Sequence, residues 1–294
     1  MNERLPATEL RDDATAGLDL LSTRELVATL AHAQRRAVEA VLSQEQMLAT
    51  LTDAVVERLS RGGRLHYVGA GTSGRLAVLD AAEIPPTFGT SSELVCAHIA
   101  GGNPALVRAV EGAEDDVNAA LAEIQDHVRS QDAVIGISAS GGAPFVVAAV
   151  RAAREIGALT AAIVNANDSL LAAAAEIAVV LETGPEPIAG STRMKAGTAQ
   201  KIALNTLSTA VMVKLGKVYD NLMVDVVATN EKLRKRAVRL VRTLTGVDED
   251  RARALLVEAN GSVKIAAVIA KRAVDAGAAR RLLDERQGRL RELL

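Results

Sequence analysis

Residues 64–89 read RLHYVGAGTSGRLAVLDAAEIPPTFG. Leu65 to Val68 is short and apolar, which predicts a buried strand. Gly69, Ala70, Gly71, Thr72, Ser73 and Gly74 follow as a turn with three glycines and two hydroxyls. Leu76, Val78 and Leu79 recur at spacings that suit a helix. Pro85-Pro86 predicts that this helix stops before them, because proline disfavours helix at the preceding residue. The order is strand, glycine-rich loop, helix. Glycines admit a ligand close to the backbone, and the N–H groups opening a helix are unpaired donors beside a positive dipole end. Those features suit an anion, most simply a phosphate. Arg75 departs from the dinucleotide fingerprint, and the loop lacks the Lys of a P-loop. A tight turn without a ligand is the alternative; Thr72 and Ser73 side by side favour a sugar phosphate.

A second loop of the same chemistry lies downstream. Ala133 to Ile137 reads as a buried strand and runs into Ser138-Ala139-Ser140-Gly141-Gly142, ahead of a helix from Pro144 to Ile156. Further strands are read at Glu93 to Ile99, Leu159 to Val164 and Ile177 to Leu181. Strands alternating with helices point to a doubly wound α/β fold, a parallel sheet covered on both faces. Ligands of such sheets sit at the carboxyl ends of strands, where Thr72, Ser73, Ser138 and Ser140 would converge on one phosphate. The plain alternative for a serine of the second loop is a helix N-cap. The pairing of loops resembles the sugar isomerase (SIS) domain, a phosphosugar-binding fold.

Composition bounds the function. The chain has 294 residues, 49% hydrophobic, with aromatics at 1% and no tryptophan, so its core is built of Ala, Val, Leu and Ile. A net charge of −2 supplies no basic field for nucleic acid or an anionic membrane. Cys96 is the one cysteine, which excludes internal disulfides. The charged start, MNERLPATELRDD, has no apolar signal region, and the most apolar stretch, Leu159 to Leu181, is interrupted by Asn165, Asn167, Asp168 and Glu176. The expectation is a cytoplasmic protein.

Residues 1–15 read as irregular. Ser22-Thr23-Arg24-Glu25 is a capping box, and Ser43 to Gln46 repeats the pattern, so two helices precede the first strand. Gly112-Ala113-Glu114-Asp115-Asp116 opens a helix reaching about His127, with acids where the dipole favours them. Arg193 and Lys195 lead a long helix to Gly216 and suit either an anionic substrate or solvent. A further helix is read from Asp220 to Leu240, its basic run from Lys232 to Arg242 a solvated face. Three short helices follow, Asp250 to Glu258, Ser262 to Lys271 and Asp275 to Glu285, with Asp248 and Ser262 as caps. They resemble a small module of the ubiquitin-associated type. The division is a helical segment at 1–62, the phosphosugar-binding domain at 63–245 and the helical module at 246–294. His32, His66, His98, His127 and Cys96 show no metal-ligand spacing such as HExxH or CxxC.

Four stretches together resemble the N-acetylmuramic acid 6-phosphate etherase family: VGAGTSGRLAVLDAAEIPPTFG, the segment from Ala100 to Asp116, GISASGG, and GPEPIAGSTRMKAGTAQKIALNTLSTAVM. The LDLLSTRE start and the helical tail fit as well, so the resemblance covers nearly the whole chain. It implies cleavage of a lactyl ether to N-acetylglucosamine 6-phosphate and D-lactate in cell-wall sugar recycling, a homodimer, and neither metal nor cofactor. The family's acid/base glutamates fall on Glu83 and Glu114. Its phosphosugar loops fall on Gly71, Thr72, Ser73 and Gly74, and on Ser138, Ser140 and Gly141. Glu83, at the end of its predicted helix, suits the acid, since a negative dipole end and burial favour the protonated form. Glu114, at a helix start, suits the base. Two rival readings are an aldose–ketose isomerase on the same fold and a non-catalytic phosphosugar sensor.

Overall fold

Five apolar runs form the sheet that the alternating pattern predicts: β1 (Leu65–Gly69), β2 (Val95–Ile99), β3 (Ala133–Ser138), β4 (Leu159–Val164) and β5 (Ile177–Val180). The computed structural model describes residues 6–225 and 231–294. All five strands are parallel, in the order β2-β1-β3-β4-β5. β1, β3 and β4 are buried at every residue, as a sheet covered on both faces requires.

Helices α1 (Thr23–Ala33), α2 (Arg35–Leu42) and α3 (Glu45–Ser60) precede β1. α4 (Gly71–Phe88) joins β1 to β2, and α5 (Pro104–Val107) and α6 (Val117–His127) lead on to β3. α7 (Pro144–Ile156) and α8 (Leu170–Ala174) complete the crossovers to β4 and β5, and α9 (Lys195–Lys214) follows the sheet. On one face, Val68, Val134, Ala162 and Val164 share a core with Ile124 of α6, Val146 and Val150 of α7 and Leu171 of α8. On the other, the buried Tyr67 hydroxyl donates to Asp80 of α4 at 3.1 Å. Asp80 also accepts from Asn205 and Ser208 of α9, at 2.5 and 3.0 Å. Burial, with the Asp80 carboxylate beside it, pushes the Tyr67 phenol up. This polar knot fixes α4 against α9 without leaving a buried acceptor unpaired.

The chain divides into two compact units, one running to Ala81 and taking in Glu93–Ser208, the other taking in Ala82–Ser92 and Thr209–Leu294. The second holds a short antiparallel pair, β6 (Val218–Tyr219) and β7 (Leu222–Met223), then α10 (Glu231–Thr245), α11 (Glu249–Glu258), α12 (Val263–Arg272) and α13 (Ala276–Glu285). Asp248, Ser262 and Asp275 cap the last three helices. Val238 and Val241 of α10 share a core with Leu255, Ile269 and Leu283; each such burial is worth about 1.5–3 kcal/mol. The Lys264 ammonium, which burial pulls down, donates to the Gly216 and Gly288 carbonyls, both at 2.8 Å, and to Asp225 at 2.7 Å.

Four local expectations change. α4 runs through Pro85 and Pro86 to Phe88: proline's φ is itself helical, burial of Ile84 and Phe88 holds the last turn, and Gly89 closes it, its N–H donating to Pro85 at 2.9 Å. Ser22 and Glu25 do form the capping box. Ser43 instead donates back to the Ala40 carbonyl at 2.8 Å, and a turn at Gln34 divides the first expected helix into α1 and α2, so three helices precede β1. Of the helix read from Asp220, the described part is Glu231 onward; Asp220 itself takes positive φ (54°) between β6 and β7, and residues 226–230 of that reading lie outside the described residues. The irregular start carries short 3₁₀ turns at Ala7–Glu9 and Asp13–Thr15, residues 1–5 again lying outside.

Candidate active site

The strand order reverses direction about β1, whose neighbours are β2 and β3. That is the switch point at which an open α/β sheet leaves a crevice at its carboxyl edge. Both glycine loops open there, since β1 and β3 are adjacent with Gly69 opposite Ile137. In the first loop the chain turns so tightly that a Cβ on Gly74 would stand 2.8 Å from the Gly69 carbonyl oxygen and 2.6 Å from Ile99 Cγ1. Gly74→Ala therefore forces β1 and α4 apart, with an expected stability loss of about 1–3 kcal/mol, read from the urea midpoint; an unchanged midpoint would contradict the tight turn. Gly74 N–H pairs with Ala70 at 3.2 Å, which leaves the first-turn N–H groups of α4 directed out of the helix.

The second loop is shaped by its serines. Ser138 Oγ accepts from Gly141 N–H at 3.1 Å and Ser140 Oγ from Gly142 N–H at 3.2 Å. Gly141 has φ +67°, and a Cβ there would stand 2.3 Å from Ser169 Oγ, so both the conformation and the space require glycine. Ser138 is buried, whereas Ser140 and Gly141 line a cleft of about 1290 Å³ together with Glu114, Arg36, Asn165 and Ser169. Glu114 is exposed. It stands on a 3₁₀ turn, Ala113–Asp115, ahead of α6, and not in the helix's first turn as the sequence suggested. Asp116 takes the cap instead, accepting from Ala119 N–H at 3.0 Å.

Ser73 is buried, and its hydroxyl donates to Gln200 Oε1 at 2.8 Å. Gln200 Nε2 donates to Asn165 Oδ1 at 2.9 Å, and Asn165 Nδ2 to the Leu181 carbonyl at 3.0 Å. This relay ties the first loop, α9 and the end of β4 to the cleft. Thr72 is half-buried, with its methyl against Gly197. Glu83 is an exposed residue of α4, five residues before the helix ends, so the burial and helix-end position read from the sequence are not what surrounds it.

Sequence reasoning missed three contributors. Glu186, fully buried in the proline-rich connector, accepts from Lys195 N–H at 3.0 Å and Ala196 N–H at 2.9 Å, satisfying the start of α9. Lys195 is buried with its ammonium 3.7 Å from Asp12, while Arg193 remains exposed. Arg36 reaches the cleft from α2; in the sequence it is one surface-patterned basic residue among many. Gln200 lies inside a helical repeat and carries no motif.

The chain is 53% identical over 261 residues to N-acetylmuramic acid 6-phosphate etherase of Symbiobacterium thermophilum, covering 89% of this chain and 87% of that protein. Against the protein of the same name from Geobacillus thermodenitrificans identity is 48% over 289 residues, 98% of each chain. The chain belongs to the N-acetylmuramic acid 6-phosphate etherase family. Within this etherase-family chain, the pattern of the glucokinase regulatory protein N-terminal SIS domain matches residues 47–154 and that of the SIS domain residues 106–210. A solved phosphoheptose isomerase from Francisella tularensis shares the fold, with TM-score 0.54 at 16% identity over 66% of this chain and 100% of that one. Both glycine loops and Glu114 lie inside the matched SIS segments.

Proposed function

We propose that this protein cleaves the D-lactyl ether of N-acetylmuramic acid 6-phosphate, giving N-acetylglucosamine 6-phosphate and D-lactate by elimination followed by hydration. The observation that carries the reading is near-full-length identity to etherases, joined to a cleft that holds Glu114 beside a hydroxyl-and-glycine loop. An unactivated ether resists hydrolysis, but the open-chain sugar has a C1 aldehyde that acidifies C2. Glu114 removes the C2 proton, the C3 lactyl oxygen leaves with a proton from Glu83, and water adds to the unsaturated aldehyde. Each transfer is worth about 10²–10⁴-fold. Backbone N–H groups of Gly71, Thr72 and Ser73 and those between Ser138 and Gly141, with the Thr72 and Ser140 hydroxyls, hold the phosphate, while Gly74 and Gly141 shape the two loops. Incubation with N-acetylmuramic acid 6-phosphate should release D-lactate stoichiometrically with the amino-sugar phosphate. Turnover without lactate would instead mark an isomerase.

We propose further that the acting species is a homodimer, as the family resemblance implies, in which Glu83 serves the sugar bound by the second copy. Among the described residues no helix is long and apolar enough to cross a membrane, and we place the enzyme in the cytoplasm, where a charged sugar phosphate is retained. The helices from 246 onward act as an appended module whose core includes α10.

Ser140 and Ser73 should behave differently. Ser140 faces the cleft, so Ser140→Ala should weaken the phosphorylated sugar by about 1.5–3 kcal/mol, the worth of a hydrogen bond to a charged group, and spare an unphosphorylated analogue. Ser73 has its proton on Gln200, so Ser73→Ala should weaken both ligands alike. Calorimetric titration of the two ligands distinguishes these outcomes; equal losses in Ser140→Ala would remove that serine from the phosphate.

A further inference from the structure

At the β2 edge of the sheet, four side chains form a row with a carboxylate at each end, hydrogen-bonded at two of its three contacts. The fully buried His66 of β1 and the buried His98 of β2 stack with ring centroids 5.3 Å apart. His66 Nδ1 lies 3.0 Å from His98 Nε2, and His98 Nδ1 lies 2.8 Å from Glu123 Oε2 on α6. At the other end His66 Nε2 faces Asp132 Oδ2 at 3.4 Å, within ion-pair distance but without hydrogen-bond geometry. Asp132 already accepts from the N–H groups of Arg64 and Arg129, at 2.8 and 2.9 Å, so it presents lone pairs to the ring.

Counting protons shows what this row lacks. Three contacts in series need three protons on the four ring nitrogens, and two neutral imidazoles carry two. With both rings neutral, one of the three contacts lacks its proton: His66 against Asp132, ring against ring, or His98 against Glu123. Such a gap is costly where the ring nitrogen is buried.

We propose that a divalent cation of the zinc class binds between His98 and Glu123, held by His98 Nδ1, the Glu123 carboxylate and the His127 imidazole. The candidate ligand atoms of His98, Glu123 and His127 all lie within 4.8 Å of one another. Metal–ligand distances of ~2.0–2.1 Å place ligand atoms roughly 3.3 Å apart, so the gap closes by a small movement of the two helical side chains. Those are the ones free to move: Glu123 and His127 side chains are 46% and 53% exposed, that of His98 7%. With the ion on His98 Nδ1, the Nε2–H donates to His66, and the His66 N–H faces Asp132. Every ring nitrogen then has a partner, in the carboxylate–histidine–metal order that outer-shell groups impose. His127 Nδ1 lies 3.6 Å from Glu123 Oε2 and 2.9 Å from the Glu123 carbonyl, and it joins the ion by releasing that carbonyl. Two imidazoles and one carboxylate select zinc, cobalt or nickel over magnesium and calcium. The ion would clamp α6, which follows the Glu114 turn, to the edge strand, with a fourth position open to water.

The test uses the full chain stripped with a chelator and titrated with cobalt(II), then with zinc(II). One cobalt per chain should bind, with the visible bands of tetrahedral N/O coordination, and zinc should displace it. His127→Ala and Glu123→Gln, at half-exposed positions, should each weaken cobalt by more than about tenfold, at least what losing an outer partner costs. His32→Ala should leave it unchanged. Zinc should also raise the melting temperature of the wild-type chain and not that of His127→Ala. No cobalt uptake, or equal uptake by all variants, would overturn the site.

Discussion

Glu114→Gln should fold normally and lose both deuterium uptake at C2 and lactate release, by about 10²–10⁴-fold. The side chain is exposed on a short turn and lines the cleft with Ser140 and Gly141, so an isosteric amide disturbs no packing. What disappears is the ability to accept a proton. Substrate binding should change little, which places the loss in kcat. Mass spectrometry of the sugar recovered from heavy water checks this directly. A variant that still exchanges C2 at the wild-type rate would show that another group is the base.

Glu83→Gln should separate the two half-reactions. Proton abstraction at C2 does not need the acid, so solvent exchange should persist while lactate loss slows by a similar factor. The proposed homodimer adds a consequence for the assembly. Glu83→Gln and Glu114→Gln chains, each inactive alone, should regain activity when mixed, because half the dimers then contain one intact site. Random exchange gives about a quarter of wild-type activity. If both glutamates of a site came from one chain, the mixture would stay inactive, and the dimer assignment would fall while the two roles stood.

The sheet was legible because its strands are short apolar runs, and β1, β3 and β4 are buried along their whole length as central parallel strands are. Ser22–Glu25 was legible as a cap because both halves of that motif lie within one turn. Elsewhere tertiary packing overrides local rules. Pro85 and Pro86 stay helical because Ile84 and Phe88 are buried on either side of them. Ser43 finds the Ala40 carbonyl rather than the N–H groups ahead of it.

Of the candidate site, the glycine loops were readable as motifs at strand ends, whereas Glu114 was picked out by the family resemblance and expected at a helix start, not on the 3₁₀ turn that carries it. Glu186, Gln200 and Arg36 were not readable, since each acts on a backbone or cleft contributed by distant residues. The histidine row was hidden for the same reason. His98 comes from a strand and Glu123 and His127 from a helix, and only the fold brings them together.

In the proposed reaction the C3–oxygen bond breaks by elimination and water then enters at C3. Turnover of N-acetylmuramic acid 6-phosphate in oxygen-18 water, with both products analysed by mass spectrometry, tests it most directly. Label is expected in the C3 hydroxyl of N-acetylglucosamine 6-phosphate, with lactate keeping its own ether oxygen. Label in the lactate would place cleavage on the lactyl side and contradict it.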